Sequence, residues 1–198
     1  TPNLEMDLCG HATLAAAHAL KRHLNFAADH IRFATKGGPL AVAVEGDRLV
    51  LDFPARPGRR SDVTKEYTSA LGARPSEIWD ARDVMAVFES EAEVRALKPD
   101  MAKVAELDAF AVIVTAPGND CDFVSRFFAP KAAVPEDPVT GSAHCTLIPY
   151  WSQRLGRKEL FARQVSSRGG EISCRDAGER VHIGGHFVTY LEGVIAAI

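Results

Sequence analysis

Apolar and polar positions along this chain change period several times, which predicts a mixed α+β protein. Residues 10–24 read as a helix rich in alanine and leucine, both strong helix formers. The small side chains of Ala12, Ala15, Ala16 and Ala19 permit close approach on several sides, so the segment is expected to be wrapped by other elements. Segments 31–35, 40–44 and 48–53 have strand character, with turns at Gly37-Gly38 and Gly46-Asp47. Pro54, Pro57, Gly58, Arg59 and Arg60 form a natural linker. Beyond it the pattern predicts a helix over 63–71, a strand over 79–88, and helical turns over 91–97 and 101–106. A β-branched strand over 110–115 is ended by Pro117-Gly118, and a second small-residue helix is expected over 141–155, kinked or cut short by Pro149. Strands near 165–167, 171–174, 180–183 and 187–191 complete the pattern.

The order of these elements repeats. A shift of 132 residues places Lys36-Gly37-Gly38 on Arg168-Gly169-Gly170, Gly46-Asp47-Arg48-Leu49 on Gly178-Glu179-Arg180-Val181, and Leu51 on Ile183. A shift of 131 places Cys9-Gly10-His11-Ala12 on Thr140-Gly141-Ser142-Ala143 and Glu5 on Glu136; Thr1-Pro2 likewise resembles Ala129-Pro130. The unit is one small-residue helix followed by antiparallel hairpins, which predicts a sheet curled around a central helix, present twice. Two such lobes facing each other would direct two glycine-led helix starts into one cleft. A helix start offers free N–H groups and partial positive charge, a suitable seat for a small carboxylate. The copies are unequal, and roughly 65–75 residues are expected to be missing ahead of Thr1 if they were once alike. The expected domains are an incomplete N-terminal lobe, 1–56, and a C-terminal lobe, 57–198, whose last strand is free to return to the first lobe.

Composition narrows the function. The chain has 198 residues, 46% of them hydrophobic and 25% charged, with Lys+Arg 23 against Asp+Glu 26. That lack of basic excess argues against nucleic acid as a partner. No apolar run approaches the ~20 residues of a membrane span and no signal peptide is evident, so a cytoplasmic protein without a membrane partner is expected. Cys9, Cys121, Cys145 and Cys174 form no Cys-x-x-Cys pair and read as reduced thiols. The histidines show no metal-ligand spacing, so no metal is expected. A nucleotide-binding α/β domain is weakly supported, because no glycine-rich strand-to-helix loop is present.

Asp-Leu-Cys-Gly-His-Ala-Thr at 7–13 and Glu-Asp-Pro-Val-Thr-Gly-Ser-Ala-His at 136–144 carry a resemblance, as does Ser125-Arg126-Phe127-Phe128-Ala129-Pro130. Through them the chain resembles the PhzF-like proteins, the phenazine-biosynthesis isomerase branch of the diaminopimelate-epimerase fold. The resemblance implies an α+β fold of two pseudo-symmetric lobes, each an antiparallel sheet or barrel curled around a central helix, here with the first lobe incomplete. It also implies a homodimer and cofactor-free proton transfer. The family's aspartate falls on Asp137, its serine on Ser142 and its histidine on His11. The related epimerases use two cysteines, one at each helix start, and those places hold Cys9 and Thr140. A threonine hydroxyl is a very poor base towards carbon, which argues against two-thiol racemisation. The family's catalytic glutamate, from an Asn-Leu-Ser-Glu-Thr-like segment, has no counterpart here and would fall within the stretch expected to be missing.

The expected activity is therefore isomerisation or epimerisation of a small carboxylate-bearing metabolite, with no cofactor. Asp137 and His11 are the expected catalytic pair; Gly10, Gly141 and Ser142 would bind the substrate, with Cys9 and Thr140 as further possibilities. Each residue has a plainer alternative. Asp137 suits a turn, Ser142 a helix cap, His11 a backbone-satisfied helix start, and Cys9 a small buried hydrophobe. The alternative function is a non-catalytic small-acid binding protein, or an inactive fragment lacking that glutamate. His18, His23, His144, His182 and His186 read as structural, and the charged segment 90–106 as a solvated face.

Overall fold

The computed structural model describes residues 8–35 and 38–194. In chain order these form α1 (Gly10–Arg22), β1 (His30–Thr35), β2 (Gly38–Glu45), β3 (Arg48–Pro54), β4 (Arg59–Ser61), α2 (Lys65–Leu71), β5 (Glu77–Asp80) and β6 (Val84–Val87). There follow α3 (Glu91–Ala96), α4 (Met101–Glu106), β7 (Val112–Pro117), β8 (Phe123–Phe128), a 3₁₀ turn (Pro130–Ala132), α5 (His144–Leu155), β9 (Glu159–Gln164), β10 (Gly170–Asp176) and β11 (Arg180–Gly185). The fold is α+β. All eleven strands join one curled sheet in the order β1-β2-β3-β11-β10-β9-β8-β7-β6-β5-β4, which stays open at β1 and β4 and does not close into a barrel. Most neighbours are antiparallel, as expected, but β6–β7 and β8–β9 are parallel. Parallel neighbours need a crossover. Helices α3 and α4 supply it between β6 and β7, and α5 does so between β8 and β9.

The two hairpins singled out in the sequence share one register. Ala41 lies opposite Asp52 in β2–β3, and Ser173 lies opposite Gly184 in β10–β11, each 132 positions further on. Their turns contain Gly46 at φ 64° and Gly178 at φ 81°, left-handed values that suit glycine. Strand β11 pairs with β3, so the sheet runs without a break from strands before the linker to strands after it. In that pairing Leu51 faces Ile183, the residue onto which the same offset carries it. The matches read at Thr1-Pro2, Glu5, Asp7, Lys36 and Gly37 lie outside the described residues.

Two cores flank the sheet. Alternate residues of β6 and β7 face opposite sides: Met85, Val87 and Ile113 join the core around α1 and α5, whereas Val84, Ala86, Val112 and Val114 join the one under α2, α3 and α4. Burial on both faces explains why this part of the sequence is an almost unbroken apolar run. The short helices have good ends. Ser90 accepts from the Glu93 N–H at the start of α3, and Asp100 accepts from Ala102 and Lys103 at the start of α4.

Helix α5 continues past Pro149 to Leu155, so the proline does not end it early. Proline removes the donor that would serve the carbonyl of Cys145, four residues back. The linker replaces it: Arg56 N–H donates to the Cys145 carbonyl at 2.8 Å. The Arg56 carbonyl in turn accepts from the Thr146 hydroxyl at 2.9 Å. The 79–88 strand is interrupted at 81–83 and is two strands, β5 and β6. Residues 165–167 form a loop after β9 instead of a strand, and 187–191 have no strand partner among the described residues. Val188, Tyr190 and Leu191 are largely exposed and cover no sheet face among the described residues. Glu91 is not on a solvated face. Its carboxylate is 8% exposed and held below the usual range by the Asn119 N–H and then by Arg95.

The two longer helices differ from each other, and α1 departs from the expectation. Seven of the twelve residues of α5 are buried, but only Gly10, Leu14 and Ala17 in α1. Ala12, Ala15, Ala16 and Ala19 face solvent in the described residues, where wrapping was expected. No helix among the described residues is long and apolar enough to cross a membrane.

Candidate active site

Asp137 sits on the loop that leads into α5, and three neighbours hold that loop. Its own N–H donates to the Phe127 carbonyl at 2.9 Å. The preceding residue, Glu136, is gripped by both arms of Arg126 at 2.7 and 3.0 Å. The remaining arm of Arg126 donates to the Val94 and Leu97 carbonyls at the end of α3, at 3.1 and 3.0 Å. A planar guanidinium suits this double engagement, which a lysine could not reproduce.

The third neighbour is Gln164, the last residue of β9 and only 1% exposed. Its side-chain N–H donates to the Asp137 carbonyl at 2.6 Å, and its side-chain oxygen accepts from the Thr140 N–H at 2.7 Å. One partner is an obligate acceptor and the other an obligate donor, so the amide orientation is determined. The Thr140 hydroxyl donates to the Asp137 carboxylate. Thr140 thus engages the Asp137 side chain through its hydroxyl, and the adjacent Gln164 amide through its N–H.

The start of α5 lies later than expected. Residues 141–143 form a tighter turn, with His144 N–H donating to the Gly141 carbonyl at 3.0 Å and Cys145 N–H to Ser142 at 3.1 Å. The Thr140 carbonyl, which a regular helix would pair with the His144 N–H, instead accepts from the His144 ring Nδ1 at 2.9 Å. That bond places the ring proton on Nδ1. Complete burial pushes the His144 pKa down to about 4, so the ring is neutral. Its Nε2 is buried without a hydrogen-bond partner among the described residues.

Helix α1 starts opposite. A Cβ built on Gly10 would lie 3.5 Å from the Gly141 Cα, and one on Gly141 equally close to the Gly10 Cα. Glycine at both positions lets the two helix starts abut. No side chain caps α1, so its first N–H groups keep the partial positive charge of a helix start. On the other side the His144 and Cys145 N–H groups are taken by the 141–143 turn, and the Gly141 and Ser142 N–H groups lie ahead of them. His11 is exposed beside this contact, its Nε2 3.8 Å from the Cys9 thiol.

Two depressions share Gly10, His11, Asp137, Val139 and Gly141. The smaller, of about 80 Å³, is walled by apolar side chains such as Phe110 and Phe127. Cys9, Gly10, His11, Asp137, Thr140, Gly141 and Ser142, the seven residues singled out in the sequence, all line it. The larger, of about 690 Å³, is bordered by Arg168 and Glu171 and by four glycines of β10, β11 and the preceding loop. Gln164 was missed in the sequence because it stands at a strand end outside any motif. Arg126 lay inside a quoted motif, but nothing there showed that it would grip Glu136. Among the described residues no three His, Cys, Asp or Glu side chains converge as metal ligands do. None of the four cysteines, all of them described, is in a disulfide, and burial pushes the Cys174 thiol pKa strongly up.

The fold and these motifs are those of a known class. The sequence model of the phenazine biosynthesis-like proteins matches residues 1–193, and the chain belongs to that family. It is 51% identical over 196 residues to a Pseudomonas aeruginosa protein named as an uncharacterized isomerase, covering 98% of this chain and 75% of that one. The crystal structure of a PhzF-family phenazine biosynthesis protein from Enterococcus faecalis superposes with a TM-score of 0.90 at 45% identity, over 94% of this chain and 72% of that one. A phenazine biosynthesis PhzC/PhzF protein of Clostridium difficile matches with a TM-score of 0.92 at 40% identity, over 100% and 76%.

Proposed function

We propose that the chain is a cofactor-independent isomerase or epimerase that moves a proton on a small carboxylate-bearing metabolite. The carboxylate is seated on the N–H groups at Gly10 and at Gly141-Ser142. Asp137 exchanges the proton with the neighbouring carbon, assisted by His11. The observation that carries this reading is that Asp137 and His11 line the same two depressions as the abutting helix starts. An acid/base group beside an anion seat is what a proton shift next to a carboxylate requires. The Thr140 hydroxyl and the Gln164 amide aim Asp137. The common register of the two hairpins supports reading the chain as a duplicated unit with lobes 1–56 and 57–198. A cytoplasmic location and a homodimer are part of the same proposal.

The test is deuterium uptake from heavy water into a panel of small carboxylic acids bearing an acidic C–H, followed by mass spectrometry on the native gene product. At least one acid is expected to gain one deuterium, and Asp137→Ala to slow that uptake by about 10²–10⁴-fold. Undiminished uptake in the variant would exclude Asp137 as the acid/base group. Binding without any uptake by the unaltered protein would favour a small-acid binding protein instead.

A further inference from the structure

The proposed chemistry uses the helix starts, Asp137 and His11, and leaves most of the larger depression unexplained. Its ionisable lining consists of His11, Asp137, Arg168, Glu171 and His186. Most of these already have partners. Glu171 is engaged by Arg163 at 3.0 Å, His186 stands 3.7 Å from Asp47, and Asp137 accepts the Thr140 hydroxyl. Arg168 is exposed and makes no hydrogen bond or ion pair with a described residue.

The loop that carries Arg168 is nevertheless fixed to the Asp137 loop at several points. Gln164, just before it, holds the Asp137 carbonyl and the Thr140 N–H. The Ser166 hydroxyl donates to the Pro138 carbonyl at 2.8 Å and accepts from the Gly169 N–H at 3.0 Å. A Cβ on Gly170 would overlap the Val139 side chain, so the backbone there lies directly on the Asp137–Thr140 segment. Gly169 has φ 73°, the left-handed value that lets the chain turn immediately after Arg168. Arg168 is thus an unpaired cation on a mount shared with the proposed acid/base group. The floor beside it lacks side chains at Gly169, Gly170, Gly184 and Gly185, leaving room for a ligand longer than its carboxylate end.

We infer that Arg168 selects the substrate. Resting on the function proposed above, this adds that the metabolite carries a second anionic group, a carboxylate or a phosphate, distal to the carbon that exchanges its proton, and that Arg168 holds it. A guanidinium binds either anion through parallel N–H donors. Substrates with one acidic group would occupy the helix starts alone.

The experiment is binding of chosen probes to the 198-residue chain by titration calorimetry, with NMR shifts of the Gly10 and Gly141 N–H groups as the site marker. The probes are butyrate and pentanoate, glutarate and adipate, and 4-phosphonobutyrate. Glutarate or adipate is expected to bind at least about ten-fold more tightly than its one-acid partner, and Arg168→Gln to abolish that difference while leaving butyrate unchanged. Arg168→Lys should retain part of it. Comparison of 4-phosphonobutyrate with glutarate shows which anion the arginine prefers. Arg74→Gln, which removes an exposed charge that lines neither depression, should leave the difference intact. Equal binding of one- and two-acid probes overturns the assignment of Arg168, as does an equal loss in Arg74→Gln. If no probe shifts Gly10 or Gly141, the carboxylate seat itself fails, which is a separate result.

Discussion

Helices α1 and α5 begin alike and end in different surroundings. Helix α1 starts at Gly10, α5 follows a tight turn led by Gly141, the two glycines pack against each other, and the hairpins β2–β3 and β10–β11 share one register. Helix α5 nevertheless buries seven of its twelve residues, whereas the alanine face of α1 is exposed. The difference extends to the site. On the α5 side, Asp137 is fixed by Gln164, Thr140, Arg126 through Glu136, and its own N–H. On the α1 side, His11 is exposed, and its one hydrogen-bond contact with a described residue is the Cys9 thiol. Similar approaches to the contact do not make similar surroundings: the α5 side is densely hydrogen-bonded, and the α1 side is exposed among the described residues.

The largest expected effect breaks the symmetry of the helices outright. Trp151 in α5 is 1% exposed, stacks on Phe123 at 5.6 Å and donates to the Thr115 hydroxyl at 3.0 Å. Trp151→Ala is expected to cost about 3–5 kcal/mol of stability. Leu20→Ala, at a half-buried position of α1, should cost about 1 kcal/mol. Urea unfolding of both variants provides the check, and equal losses would deny the contrast.

The second prediction concerns the clamp. Gln164→Leu keeps the volume but leaves the Asp137 carbonyl and the Thr140 N–H unpaired. A small displacement of Asp137 then lowers deuterium uptake by about 10–100-fold. Butyrate binding at the helix starts should change much less. Uptake equal to that of the unaltered protein would show that Asp137 needs no such support.

The third concerns acid. His144 has a native pKa of about 4, below its unfolded value near 6.5. Above pH 6.5 both states are neutral and nothing is lost. Between 6.5 and 4 the unfolded chain takes up a proton that the native ring refuses, so stability falls as pH falls. The expected loss from pH 7 to pH 5 is about 2 kcal/mol, with the buried carboxylates adding theirs at lower pH. His144→Gln should flatten the profile between pH 7 and 5. An unchanged slope in that variant would assign the loss elsewhere.

Much of this arrangement was legible because it is periodic or punctuated. Hairpins bounded by Gly46 and Gly178, and helix starts marked by Gly10 and Gly141, follow from backbone requirements visible in a single sequence. What stayed hidden depends on distant partners. Pro149 signals a broken helix until Arg56 supplies the missing donor. The β-branched and aromatic residues at 187–191 have the look of a strand, but no strand lies beside them among the described residues. Glu91 sits in a charged run, yet turns inward to Asn119. Asp137, His11 and Ser142 stood in motifs, while Gln164 reaches the same loop from a strand end that no local pattern marks.

The central claim is that two helix starts from different parts of the chain form one carboxylate seat beside Asp137. Its most direct test is a titration of the ¹⁵N-labelled chain with butyrate, observed at the backbone N–H groups of Gly10, His11, Gly141 and Ser142. The account predicts that all four move together along one binding curve. Movement at only one helix start, or two separate curves, would contradict it.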